Sequence, residues 1–277
     1  MTEVAKQMPT EARLCAFRET VREHYREHGR SFPWRARRTP YRVLVSELML
    51  QQTQADRVVP FFERFTARFP DVRTLARARL ATVLKLWSGL GYNRRAKFLH
   101  EAARAVVREH GGVVPVDEAA LRSLPGVGPY TAAAVTAFAG DRPATFIETN
   151  IRSVFIHEFF GDREGIPDSE ILPLIGKTVD REQPAEWYQA LMDYGAFLKR
   201  QGINPSRRSA HYTRQAPFAG SDRQLRGAVL RELLVGKKTE TELRKKLQVD
   251  IVRHRAIVTG LRKDGLIKSQ GNRFKLA

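Results

Sequence analysis

From about residue 10 to 215 the apolar residues recur every three to four positions, with almost no strand-like alternation. Leu14, Phe17, Val21 and Tyr25 mark a first helix. Pro33 and Pro40 break the chain around Phe32-Pro33-Trp34-Arg35, and helical patterns resume over Val43 to Gln54 and Val59 to Phe69. Gly89, Gly91, Pro115 and the run Gly126 to Pro129 separate further helices. Connections this short confine the stretch to a compact all-α domain.

The pattern changes after Gln201. Gly, Pro, Ser and Arg accumulate to Ser221 and read as an irregular linker. Leu225 to Leu234, Thr239 to Leu247 and Val252 to Lys263 then form three short helical patterns. A strand–turn–strand follows from Gly265 to Leu276, with Gly271-Asn272 at its tip. Three helices and a terminal hairpin predict a winged-helix-like α+β domain over 222–277, behind a helical domain over 10–215. The central part of that helical domain is expected at about 40–145, with the remainder from the N-terminal helix and 146–215.

The 277 residues carry 48 Lys and Arg against 30 Asp and Glu, a net charge of +18, and the tail alone holds an excess of nine basic residues. Such an excess points to a polyanion, nucleic acid first and an anionic membrane surface second. No segment reaches the roughly 18 apolar residues of a membrane span, and Met1 to Arg13 lacks the apolar centre of a signal peptide. A cytoplasmic, nucleoid-associated and monomeric protein is expected. The single cysteine, Cys15, excludes an internal disulfide and any all-cysteine metal site.

Two features carry chemistry. The string Leu124-Pro-Gly-Val-Gly-Pro-Tyr-Thr131 joins two helical patterns. Gly126 and Gly128 permit a tight turn that leaves main-chain N–H groups uncovered where the next helix starts. A DNA phosphate can sit there, gripped without reading base identity. The second feature is a pair of acids. Glu47 interrupts the apolar run Val43 to Leu50, and Glu148 is flanked by Phe146, Ile147 and Ile151. Partial burial shifts the pKa of such a carboxyl. Cleaving an N-glycosidic bond needs an acid to protonate the leaving base and a carboxylate to stabilise the cation growing on the sugar.

The strings FPWR, SELMLQQTQ, LWSGLGYNRRAKFLH and LPGVGPYTAAAV resemble the helix-hairpin-helix (HhH-GPD) DNA glycosylase superfamily, and most closely MutY-type adenine DNA glycosylases, over residues 12 to 200. The resemblance implies two all-helical subdomains with the active site in the cleft between them, and double-stranded DNA with a mispaired or damaged base as the partner. It places Glu47 as the general acid, Glu148 as the group stabilising the oxocarbenium ion, and Asn150 as their orienter. Arg30, Trp34, Leu50 and Tyr130 match residues lining the pocket for the extruded base. Gln51, Gln52, Thr53 and Tyr92 match residues against the duplex, Gln52 and Tyr92 as wedges. Gly126, Val127, Gly128 and Thr131 match the phosphate hairpin, which holds at most a monovalent cation. In the tail, Arg253, Arg255 and Arg273 are expected to add phosphate contacts. A tyrosine at position 130 cannot form the Schiff base that a lysine forms in bifunctional relatives, so a monofunctional enzyme is implied.

Four departures from the family pattern stand out. Lys199, Ser206, Ser209 and Gln215 occupy the stretch of the family's iron–sulfur cysteines, so no cluster is expected. Glu148 replaces an aspartate. Asn93 stands where adenine glycosylases usually carry a second tyrosine, and the C-terminal module that reads 8-oxoguanine is replaced by the winged-helix-like tail. Excision of adenine opposite guanine or 8-oxoguanine is the leading expectation. A thymine or uracil mismatch glycosylase of the same fold, and a catalytically weak DNA-binding protein, remain the alternatives.

Overall fold

The computed structural model describes residues 8–214 and 217–277. Gln215, and the first seven residues of the Met1 to Arg13 stretch, lie outside the described residues. In chain order the helices are α1 (Glu11–His28), α2 (Pro33–Ala36), α3 (Pro40–Leu50), α4 (Ala55–Arg68), α5 (Val72–Arg77), α6 (Leu80–Trp87) and α7 (Arg94–Glu109). There follow α8 (Glu118–Arg122), α9 (Pro129–Gly140), α10 (Thr149–Phe159), α11 (Asp168–Thr178) and α12 (Pro184–Arg200), then a 3-10 turn at Pro205–Arg208. The tail runs α13 (Asp222–Val235), β1 (Lys238–Thr239), α14 (Glu240–Leu247), α15 (Ile251–Lys263), β2 (Ile267–Gln270) and β3 (Arg273–Leu276). No helix among the described residues is long and apolar enough to cross a membrane.

Local chemistry starts many of these helices. Thr10, Asp71, Ser221 and Asp250 each accept a hydrogen bond from a main-chain N–H of the first turn, and Thr239 with Glu242 forms a reciprocal capping box. In α9, Pro129 occupies the first turn behind Gly128, and Thr131 to Phe138 are all buried. That helix is buried on every side, as its run of small residues permits.

The chain folds into two compact units, each discontinuous in sequence. The first comprises Met1–Pro40, Val116–Ala119 and Gly128–Arg214. Its core forms where α1 meets α10 and α12: the Phe17 ring lies 5.2 Å from Phe155 and 6.0 Å from Trp187. The second comprises Tyr41–Pro115, Ala120–Val127 and Gln215–Ala277. Phe62, Phe65, Phe69 and Trp87 form its helical core.

The tail belongs to the second unit rather than standing apart. Its α13, α14 and α15 bury Val229, Leu233, Leu243, Ile257 and Leu261, and its antiparallel sheet has strand order β1-β3-β2. Ile267 pairs with Leu276 and Gln270 with Arg273 around a turn where Gly271 takes φ 58°. The expected hairpin is therefore present, with a two-residue third strand, β1, added beside β3. Asp264 ties the tail to the start of α7: its carbonyl accepts from Lys97 Nζ at 2.8 Å, and its carboxylate pairs with Arg94 and Arg226.

Candidate active site and DNA interface

In the first unit the extended segment before α10 delivers Glu148. Phe146 is buried there, stacked 4.0 Å from Tyr188, whose hydroxyl donates to the Ala144 carbonyl. Glu148 then caps α10. Its Oε1 accepts from the main-chain N–H groups of Asn150 (2.8 Å) and Ile151 (2.9 Å), and its Oε2 accepts from Asn150 Nδ2 at 3.2 Å. The residue is half-buried and its carboxyl group is tightly surrounded. Desolvation raises its pKa, and the N–H donors and the Arg152 charge oppose that shift without cancelling it. A carboxylate held this way is aimed by the helix end and needs no reorganisation to meet a developing cation.

The depth of the site depends on Gly195 of α12. A Cβ added there would stand 2.3 Å from the Asn150 carbonyl oxygen, so only glycine lets α12 approach the first turn of α10 this closely. Below it, Arg152 pairs through two 2.7 Å hydrogen bonds with Asp168 at the start of α11.

The remaining first-unit candidates are placed as follows. Tyr130 is half-buried, its ring 5.7 Å from Phe146, the residue two before Glu148. Trp34 is buried and stacks on Phe32 at 4.9 Å. Arg30 is anchored to α12: its N–H and Nε donate to Asp193 at 2.8 Å each. Arg35 completes a fork on the same carboxylate at 2.7 and 2.9 Å. Asp193 is fully buried. Desolvation pushes its pKa up, but the bonds and charges of Arg35 and Arg30 outweigh it and leave the pKa below the usual value. Sequence reasoning missed this triad; its one signal was an acid on the buried face of α12.

At the hairpin, Gly126 has φ 76°, and a Cβ there would lie 2.4 Å from that of Phe98, so conformation and space both demand glycine. Gly126 and Gly128 are exposed. Val127 and Thr131 belong to the same stretch. Both side chains are buried, and the Val127 N–H is spent on the Leu124 carbonyl.

In the second unit Glu47 lies on α3 at 5% exposure, among Val43, Leu44, Val45, Leu48 and Met49. Leu50 ends that helix, and Gln51, Gln52 and Thr53 turn away from it, Gln52 with φ 53°. A residue not foreseen from sequence holds this turn. Arg95 is buried on α7, and its guanidinium donates to the carbonyls of Leu48 and Met49 at 2.9 Å, to that of Gln51, and to Thr53 Oγ1 at 3.2 Å. It therefore caps the open C-terminal end of α3. Desolvation brings its pKa down to about 10. The same guanidinium lies 5.3 Å from the Tyr92 ring centroid and reaches the Gly91 carbonyl. Both expected wedges, Gln52 and Tyr92, have left-handed backbones, and Arg95 supports the turns that carry them.

The three tail arginines are exposed. Arg253 pairs with Asp222 and Arg255 with Glu240, each on the surface, while Arg273 is exposed on β3. Exposed pairs like these are worth about 0–1 kcal/mol and exchange readily for a phosphate.

Residues 45–251 match the family described as HhH-GPD superfamily base excision DNA repair protein. The adenine DNA glycosylase of Mycobacterium tuberculosis is 38% identical over 229 residues, 74% of each chain. That of Mycolicibacterium smegmatis is 35% identical over 278 residues, 91% of this chain and 93% of its own. Among solved structures, a thermostable thymine-DNA glycosylase superposes with a TM-score of 0.61 at 28% identity, covering 67% of this chain and 87% of that one.

Proposed function

Because the chain belongs to the HhH-GPD superfamily of base excision DNA repair proteins, we propose that it hydrolyses the N-glycosidic bond of an adenine mispaired with guanine or 8-oxoguanine. The observation that carries this reading is the Glu148 carboxylate, held by three N–H donors at the start of α10. The 35–38% identity to adenine DNA glycosylases supports the choice of base.

In this reading the target nucleotide leaves the stack, because its bond is out of reach inside a duplex. Glu47 gives a proton to the adenine ring, and the glycosidic electron pair leaves with the base. Glu148, ionised and oriented by Asn150, stabilises the sugar cation until water adds to it and releases a proton. The products are free adenine and an abasic site. Tyr130 supplies no amine, so the strand stays intact. Arg30, Trp34 and Leu50 are proposed to line the base pocket, Arg30 through its aliphatic stem, since its guanidinium is committed to Asp193. Gly126 and Gly128 offer the main chain to a phosphate, with room for at most a monovalent cation.

No iron–sulfur cluster enters this mechanism, because the donors do not fit one. Ser206 Oγ donates to Asn204 Oδ1 at 2.6 Å, and Ser209 Oγ accepts from the His211 N–H at 3.0 Å. A parallel bridge joins the segment to Ile166, through Ile166 N–H to the Arg208 carbonyl and Ala210 N–H to the Ile166 carbonyl, both 2.9 Å. Hydrogen bonds and apolar packing against α10 thus do the structural work there. The protein is proposed to act as a cytoplasmic, nucleoid-associated monomer on double-stranded DNA.

A second reading, thymine or uracil removal from a mismatch with guanine, is favoured by Asn93 and by the likeness to the thymine-DNA glycosylase. One assay separates the two. Duplexes carrying A opposite 8-oxoguanine, A opposite G, T opposite G and U opposite G are incubated with the protein and treated with alkali. Cleavage at adenine alone is expected, and cleavage at only thymine or uracil overturns the adenine reading. Glu47→Gln is expected to abolish cleavage and retain DNA binding; a fully active variant removes Glu47 from the mechanism.

A further inference from the structure

From Ile251 to Ala277 the chain carries seven lysines and arginines and a single acid, Asp264. That acid is spent inside the unit: its carboxylate, 16% exposed, pairs with Arg226 and Arg94. Its carbonyl accepts from Lys97, which fixes the end of α15 to α7. Only residues 248–250 join α14 to α15, with Gln248 in the left-handed region at φ 50° and Asp250 capping α15. One side of α15 is buried through His254, Ile257, Val258 and Leu261. Val252, Arg255, Ala256, Thr259 and Lys263 lie on the opposite side and are all exposed, Val252 at 76%. Glu240 of α14 holds Arg255 through Nε at 3.1 Å, and the arginine side chain stays 66% exposed.

On the hairpin, Lys268 stands directly opposite Lys275 and Gln270 opposite Arg273. Alternation along the two strands puts all four side chains on one face. Like charges directly opposite each other destabilise a sheet, so this face gains when an anion lies on it. The outward side of α15 is built differently. Its cations flank Val252, Ala256 and Thr259, whose methyl groups gain nothing from water or from a phosphate. Small side chains let a helix approach closely. Methyl groups suit the methyl of thymine, and a guanidinium suits the O6 and N7 acceptors of guanine. A helix of thirteen residues is about 20 Å long, on the order of six base pairs. We propose that the tail reads duplex sequence beside the target nucleotide. In this proposal α15 enters the major groove with Val252, Arg255, Ala256 and Thr259 against base edges, while Lys268, Arg273 and Lys275 of the hairpin hold adjoining phosphates. The proposal rests on the reading above for DNA as the partner, and it does not depend on which base is excised.

The test uses the full-length protein and duplexes in which one tetrahydrofuran, a stable abasic analogue, sits opposite G between randomised flanks. Bound duplexes are recovered and sequenced. Kd is then measured by fluorescence anisotropy on the most and least enriched flanks over a range of salt concentrations. Wild-type protein is expected to enrich a motif of about two to four base pairs on one side, with guanine at one position. It should bind its best flank about tenfold or more tightly than its worst. Arg255→Lys keeps the charge but loses the planar fork, and is expected to bring that ratio within about twofold. Thr259→Glu sets a carboxylate against the groove and is expected to remove the motif as well. Lys268→Ala combined with Lys275→Ala should weaken all flanks alike and reduce the slope of log Kd against log salt by about 1.8. Flanks recovered at random by wild-type protein would overturn the proposal. So would a ratio that survives both α15 variants, or a salt slope unchanged in the lysine double variant, each with wild-type thermal unfolding. Failure of the glycosylase reading shows separately, as a wild-type protein that selects a flank motif and releases no base from any mismatched duplex.

Discussion

Arg95 holds Tyr92 by main chain and ring together: its N–H donates to the Tyr92 carbonyl at 2.9 Å, and its guanidinium lies 5.3 Å from the ring centroid. The same side chain satisfies the carbonyls that end α3. Removing it strands several buried acceptors at once, each worth about 1–3 kcal/mol when unmet. Arg95→Ala is therefore expected to lower the unfolding free energy by about 3 kcal/mol in urea titration. It should weaken binding to a mismatched duplex more than binding to single-stranded DNA of the same length, because only a duplex would need the two expected wedges, Gln52 and Tyr92, in register. Equal losses on both would mean that Arg95 stabilises the fold alone.

Gly195 sets the spacing behind the Glu148 cap. A methyl group there meets main-chain atoms of Asn150, which yield far less readily than a side-chain tip. Gly195→Ala is expected to cost about 1–3 kcal/mol through overpacking. It should also lower the single-turnover rate by about 100-fold, because the turn it displaces carries the donors that aim Glu148. A variant with reduced Tm and an unchanged single-turnover rate would separate the packing from the chemistry.

Asp193 tests the buried triad. Its pKa is lowered in the folded state, so its contribution to stability is present above the ordinary carboxylate value, about 3.9. That contribution is lost as the pH falls through the lowered one. Asp193→Asn leaves Arg35 and Arg30 facing a neutral amide, at a cost of about 3–5 kcal/mol near pH 7. The gap between variant and wild type should shrink below pH 4, as measured by denaturant unfolding. A gap independent of pH would show that the carboxylate charge is not what stabilises the site.

What the sequence disclosed follows from the range of the interactions. The hairpin was legible because Gly126 and Gly128 answer local demands of conformation and space, and the tail hairpin because Gly271-Asn272 is a local turn signal. The depth of Glu47 was legible because its apolar neighbours are its sequence neighbours on one helix. Asp193 and Arg35 pair across 158 positions, and nothing in either segment names the other. Arg95 carried a faint signal, a basic residue in the stripe with Leu99, Ala102 and Val106 that α7 buries. Its partners are main-chain carbonyls, and those have no signature in sequence. The left-handed backbones at Gln52 and Tyr92 were likewise hidden, because turns of that kind ordinarily announce themselves through glycine. That the tail packs with residues 41–115 was hidden for the same reason as the triad. It depends on long-range contacts, which return the tail to residues 41–115.

Glu148 joins stability to chemistry. Desolvation raises its folded-state pKa above 4.5, so the protonated form is favoured by folding. Its stabilising contribution is complete below the unfolded value and is lost as the pH rises through the folded one. At neutral pH the ionised carboxylate is thus held at a cost, and the cap's N–H donors offset only part of it. Glu148→Gln keeps an oxygen acceptor for the cap and has no charge to desolvate. Its Tm relative to wild type should therefore climb between pH 4 and pH 7. The single-turnover rate should fall by about 10²–10³-fold, the scale of losing a preorganised charge-stabilising group. The acid limb of the wild-type rate profile should have its midpoint above 4.5, because in the proposed mechanism the ionised form meets the sugar cation. A Tm difference flat across this range would mean that the cap donors fully offset the desolvation, and an acid limb at or below 4.5 would detach Glu148 from the rate.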